Sequence, residues 1–185
     1  RGDIIYVLSP DASTSVLAEN IVITKDDIHI RGPGRTVVVR PTSGVGLTLS
    51  GNGISVSGIY FRAPVGSTTD DCVVVNGDFI QLSGCFWKGS DAGTGNGLRI
   101  RGGSYHRFWD LEIEDCGGNG VLVEDAGLST GSPRDITFFN CNFYKNGDSG
   151  MKFTATSSNS TRFSRIRGCS IFNNANYGVE LTTNV

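Results

Sequence analysis

Along this chain a short run of alternating apolar residues, interrupted once and then resumed, recurs at nearly constant spacing. It appears as IHIRG at 28–32, ISVSGIYF at 54–61, FIQLSGCFW at 79–87, RFWDLEI at 107–113, DITFFNCNF at 135–143 and SRIRGCSIF at 164–172. Aligned on the interruption, these segments place Gly32, Gly58, Gly84, Asp110, Asn140 and Gly168 in one column, at intervals of 26, 26, 26, 30 and 28 residues. Gly, Asn and Asp enter the left-handed region of backbone space at least cost. The column therefore predicts one left-handed bend between two short strands in every period.

A second register runs in step with the first. GLTL, CVVV, GLRI, GVLV, GMKF and GVEL begin their apolar residues at Leu47, Val73, Leu98, Val121, Met151 and Val179, five of the six directly after Gly. Each period thus holds three short strands, and no amphipathic segment of helix length lies between them, which excludes a doubly wound sheet. The pattern predicts an all-β chain coiled as a parallel solenoid, a single-stranded β-helix of about six to seven coils of roughly 26 residues, spanning 1–185 as one domain. Equivalent positions of successive coils then stack about 4.8 Å apart, so columns can be read from the alignment. Ile30, Val56, Leu82, Phe108, Phe138 and Ile166 form one inward column, with Ile59, Cys85, Leu111, Cys141 and Cys169 forming a second. Phe61, Trp87, Ile113, Phe143 and Ile171 form the third, and Asn146 and Asn174 share a column near a turn.

Composition narrows the function. The 26 glycines fit a turn-rich chain, and a net charge of −2 with no basic cluster removes the footprint of a nucleic-acid binder. No run of eighteen apolar residues occurs, so no membrane insertion is expected. With Met151 the only methionine and no leader-like opening, the chain is expected to be a segment of a longer one.

The opening GDIIYVLSPDAS, the following IVIT and IHIRGPGRTVVVRP, and the coils after them resemble the right-handed parallel β-helix proteins of the pectin-lyase-like superfamily. They look most like the first coils of phage spike, fibre and decoration proteins. That resemblance implies a homotrimer associated with other virion proteins, and flanking segments or neighbouring subunits covering the coil ends. Polygalacturonase-like members carry four catalytic motifs. Here only Asp70-Asp71 and Arg165-Ile166-Arg167 approach two of them.

Five cysteines with no zinc-like spacing predict no metal site, and buried thiols in the inward column for Cys85, Cys141 and Cys169. Unpaired thiols suit assembly in a reducing cytosol. No cofactor is indicated. His29 and His106 stand apart in coil register with no nucleophile expected in either column, so no Ser-His-Asp arrangement is expected.

Carboxylates are the catalytic candidates. Glu124 and Glu180, expected about 10 Å apart across two coils, would be acid and base if the chain were an enzyme, with Arg101 and Lys152 orienting substrate. The preferred reading pairs Arg101 with Glu124 and Lys152 with Glu180 as exposed cross-strand charges. Arg99, Arg101 and Lys152 remain binding candidates, as do Trp109 and Phe139, which share an outward column with Ser57, Ser83 and Arg167. Loops at 76–79, 101–107, 124–135 and 154–163 lengthen along one edge, where recognition commonly resides.

The expected function is a structural and host-surface attachment module of a bacteriophage virion appendage, a tail spike, tail fibre or head fibre that binds surface glycan. The alternative is a polysaccharide depolymerase or lyase, secreted rather than carried on the virion.

Overall fold

The computed structural model describes residues 2–8, 15–64, 69–90, 93–128, 131–155 and 164–183. These residues form 21 short strands in three parallel seven-stranded sheets, and the chain visits the sheets in strict rotation. The first sheet holds Asp3–Tyr6, Ile28–Arg31, Ser55–Ser57, Gln81–Ser83, Arg107–Trp109, Thr137–Phe139 and Arg165–Arg167. The second holds Ser15–Leu17, Val37–Val39, Tyr60–Arg62, Phe86–Lys88, Glu112–Glu114, Asn142–Tyr144 and Ser170–Phe172. The third holds Ile21–Ile23, Leu47–Leu49, Val73–Val75, Leu98–Ile100, Val121–Glu124, Met151–Ala155 and Val179–Thr183. The result is a three-sided parallel β-helix whose strand starts at Leu47, Val73, Leu98, Val121, Met151 and Val179 coincide with the predicted register.

The bend column is left-handed at Gly58, Gly84, Asp110, Asn140 and Gly168, with φ between 53° and 63°. Gly32 departs from the expectation: the left-handed residue of that coil is Gly34, at φ 91°. Gly32 is needed for space instead, because a Cβ there would meet the carbonyl oxygen of Gly58 at 2.5 Å. Two further left-handed columns appear: Asp27, Gly53, Phe79, Tyr105 and Asp135 at the corner before the first sheet, and Asp115, Lys145 and Asn173 after the second.

Inside, Ile30, Val56, Leu82, Phe108 and Phe138 stack in register, as do Phe61, Trp87, Ile113 and Phe143, all buried. Phe61 stacks on Trp87 with ring centroids 5.6 Å apart, and Phe108 lies 5.0 Å from Phe138. Ile166, Cys169 and Ile171 share these columns but are only partly covered, with Ile166 38% exposed. Their coil has a stacked neighbour on one side only, among the described residues. All five cysteines are free.

Polar residues continue the stacking at the corners. Asn146 donates from Nδ2 to Asn174 Oδ1 at 2.9 Å, as the shared column predicted. A second, wholly buried ladder runs before the third sheet. Asn96 donates from backbone N and Nδ2 to Asp71 Oδ1, Asn119 donates from both to Asn96 Oδ1, and the Ser149 backbone donates to Asn119 Oδ1. Each amide closes the hydrogen bond that the next coil's turn would otherwise leave unmade, which is where burial of a polar group becomes stabilising rather than costly.

Candidate functional site

Strand register assigns the charged candidates to the outer face of the third sheet. Arg99 Nη2 lies 2.7 Å from Glu124 Oε1, and its Nη1 reaches Asp71 Oδ2 at 3.2 Å. Arg101 Nε approaches the same Glu124 oxygen at 3.7 Å, so the expected Arg101–Glu124 pair is present but is the longer of two. Lys152 Nζ is 2.9 Å from Glu180 Oε1, as expected. Glu180 also accepts hydrogen bonds from Ser149 Oγ and Thr182 Oγ1.

This geometry disfavours Glu180 as a general acid. The hydrogen bond from Lys152, supported by those from Ser149 and Thr182, holds the Glu180 carboxyl below the usual carboxylate range against a smaller opposing effect of burial. A general acid needs the opposite shift. Glu124 pairs in register with Thr154 and Thr182, whereas Glu180 pairs with Lys152 and through it with Leu122. The two glutamates are therefore separated by two strand spacings and also by two residues along the strand, about 12 Å between backbones rather than 10 Å.

Trp109 and Phe139 pair in register on the outer face of the first sheet, in a column that reads Arg31, Ser57, Ser83, Trp109, Phe139 and Arg167. Trp109 is half-buried, and Phe139 is 55% exposed. The candidates Arg99, Arg101 and Lys152 thus stand on a different face of the coil from Trp109 and Phe139. The parallel outer column of the first sheet reads His29, Ser55, Gln81, Arg107, Thr137 and Arg165. Arg31, Arg107, Arg165 and Arg167 are exposed, and among the described residues none forms an ion pair. Arg107 is braced from Nη1 by the carbonyls of His106 and Asp135. No carboxylate occupies either outer column across these six strands.

Of the two histidines, His29 departs from expectation. His29 lies within its strand, directly beside Ser55, with Nδ1 2.6 Å from Ser55 Oγ, so a hydroxyl does share its column. His106 is fully buried. Its Nε2 donates to the Gly102 carbonyl and its Nδ1 accepts from the Ile80 backbone, which fixes a neutral ring. Burial pushes its pKa down to about 4. The long loop at 154–163 lies almost entirely outside the described residues.

On the outer face of the second sheet Glu112, Tyr144 and Lys88 are engaged within the chain, whereas Arg62 forms no ion pair among the described residues. Arg35 covers the Phe86 ring 4.0 Å from its centroid and contacts Glu112, which also accepts from the Tyr144 hydroxyl at 2.6 Å. Lys88 is paired with Asp115 and Glu114. The adjoining cavity, beside Gly84, Asp110 and Glu112, measures about 110 Å³, well below the volume of ordinary ligand pockets.

Residues 18–185 match the family model described as the right handed beta helix region, and the chain belongs to that family. Among solved structures it is similar to the A-module of mannuronan C-5 epimerase AlgE4 from Azotobacter vinelandii, with 10% identity and a TM-score of 0.43, covering 97% of this chain and 65% of that one. It is also similar to the A-module of mannuronan C-5 epimerase AlgE6 from the same organism, with 13% identity and a TM-score of 0.31, covering 97% of this chain and 71% of that one. This chain therefore spans 65% of the length of the AlgE4 module. No curated protein matches this chain.

Proposed function

We propose that this chain is a glycan-binding structural module, and that the outer face of its first sheet holds an acidic polysaccharide. The observation that carries the reading is the pair of outer columns described above: Arg107, Arg165 and Arg167, without carboxylate partners among the described residues, set beside Trp109 and Phe139, with Arg31 three strands away in the same column. Guanidinium groups pair with carboxylate or sulfate substituents, and an aromatic face stacks on the apolar side of a sugar ring. On the third sheet, by contrast, Arg99, Arg101, Glu124, Lys152 and Glu180 are occupied with one another.

In this reading the module serves a phage tail spike, tail fibre or head fibre as a homotrimer that attaches the particle to a host surface. The free thiols and the rigid stacked core agree with that role. Sedimentation of the native full-length protein in its source material tests the setting. Recovery with particles at a multiple of the chain mass is expected, and a free monomer would contradict it. Incubation with an acidic polysaccharide tests the chemistry: binding without shortening of the polymer is expected, and progressive shortening would return the weight to a depolymerase or lyase.

A further inference from the structure

At the corner leading into the first sheet, the left-handed column contains Asp27, Gly53, Phe79, Tyr105 and Asp135. Asp and Gly tolerate this conformation, whereas bulky aromatic residues occupy it only under strain. Phe79 at φ 58° and Tyr105 at φ 62° are nevertheless there, 52% and 46% exposed, with rings stacked 5.1 Å apart and 13° from parallel. They fill no core. An exposed aromatic pair held in a costly backbone conformation marks a surface selected for something other than folding.

One face of Phe79 is covered by Tyr105, while on its other side the column continues with Gly53, which has no side chain. The next side chain in the column is Asp27, whose backbone lies about 10 Å from that of Phe79 at two strand spacings. The carboxylate of Asp27 leans over the glycine: its Oδ1 lies 2.5 Å from the place a Gly53 Cβ would occupy. The corner therefore presents a slot with Gly53 as its floor, an aromatic ring as one wall and an exposed carboxylate as the other.

We infer that this slot is a subsite for one neutral pyranose unit of the bound polysaccharide, an assignment that rests on the glycan-binding reading above. The apolar side of the sugar stacks on the exposed Phe79 ring at about 4.5 Å. Its hydroxyls donate to Asp27, a charge-assisted contact. A uronic acid is repelled there by the same carboxylate. Because the arginines that form no ion pair among the described residues lie within the strands of the first sheet and the slot lies at its corner, the polymer this surface fits carries both neutral and acidic sugars.

Saturation-transfer NMR with neutral methyl hexosides and a titration with an acidic polysaccharide, each on wild type and on Phe79→Asn and Asp27→Asn, test the inference. Asn keeps the left-handed backbone in both variants. Expected are transfer to the hexoside ring protons in wild type, about tenfold weaker binding in both variants, and an unchanged or higher melting temperature in Phe79→Asn. If wild type binds the acidic polysaccharide but no hexoside, or if the variants bind hexosides as wild type does, the subsite is overturned and the broader reading stands. If wild type binds neither, both fall. A melting temperature several degrees lower in Phe79→Asn would assign the ring pair to the fold and likewise overturn the subsite.

Discussion

Asn96 places both its backbone N–H and its Nδ2 on a single oxygen of Asp71, 2.8 Å away in each case, in a corner closed to solvent. Asn119 repeats the same two contacts on Asn96. The ladder adds side-chain hydrogen bonds from coil to coil beside the backbone ones that Cys72 donates to Asn96 and Gly97 donates to Asn119.

Replacing Asn96 by Leu removes the acceptor of the Asn119 backbone N–H and one donor of the Asp71 carboxylate, both buried. A loss of about 2–4 kcal/mol is expected in urea unfolding. Asn176→Ala removes a solvent-exposed contact with Asp148 and is expected to change stability by no more than about 0.5 kcal/mol.

Gly58 and Gly84 occupy the same bend column, but their surroundings differ. A Cβ on Gly58 would collide with the backbone of Gly32, whereas nothing lies within 4 Å of one on Gly84. Gly84→Ala is expected to cost only the left-handed penalty of about 1–2 kcal/mol. Gly58→Ala must also displace backbone, so its melting temperature is expected to fall markedly further. Equal losses in the two variants would mean that conformation alone sets the bend.

His106 links stability to pH. Its pKa is about 4 in the folded chain and near 6.5 when unfolded. Between these values the unfolded chain binds the proton and the folded one does not. The contribution is complete above pH 6.5 and declines as pH falls toward 4, by about 3 kcal/mol over the whole window. His106→Gln is expected to flatten that part of a stability–pH profile.

Thiol accessibility follows from the same packing. Burial pushes Cys72 and Cys141 up to about 12 and Cys85 up to about 11, and raises Cys116 well above its ordinary value. Cys169, the one cysteine that is not fully buried, is the remaining thiol. A disulfide reagent is expected to modify Cys169 first in the native protein and all five thiols after denaturation. Rapid native reaction of Cys85 would contradict the packing of its column.

The fold was legible because stacking turns a three-dimensional contact into a sequence interval. Trp87 lies next to Phe61 and Ile113 in space for the same reason that it lies 26 residues from each. The buried ladder was legible by the same means, since Asp71, Asn96, Asn119 and Ser149 all stand two residues before the strands of the third sheet. The apolar pattern drew attention to the glycines between them instead. Gly32 misled because spacing cannot separate a residue needed for its φ from one needed for its lack of a side chain. Which arginines are paired was beyond the alignment: Arg99 and Arg167 are both outward, and only the side-chain geometry shows that Arg99 is neutralised by Glu124 and Asp71.

Isothermal titration with an acidic polysaccharide tests the central claim most directly, comparing wild type with the exposed-site variant Arg165→Ala, Arg167→Ala, Phe139→Ala at low and high salt. The account predicts wild-type binding that weakens as salt screens the arginines, and affinity at least about tenfold lower in the variant. Wild-type affinity in the triple variant, or binding indifferent to salt, would contradict it.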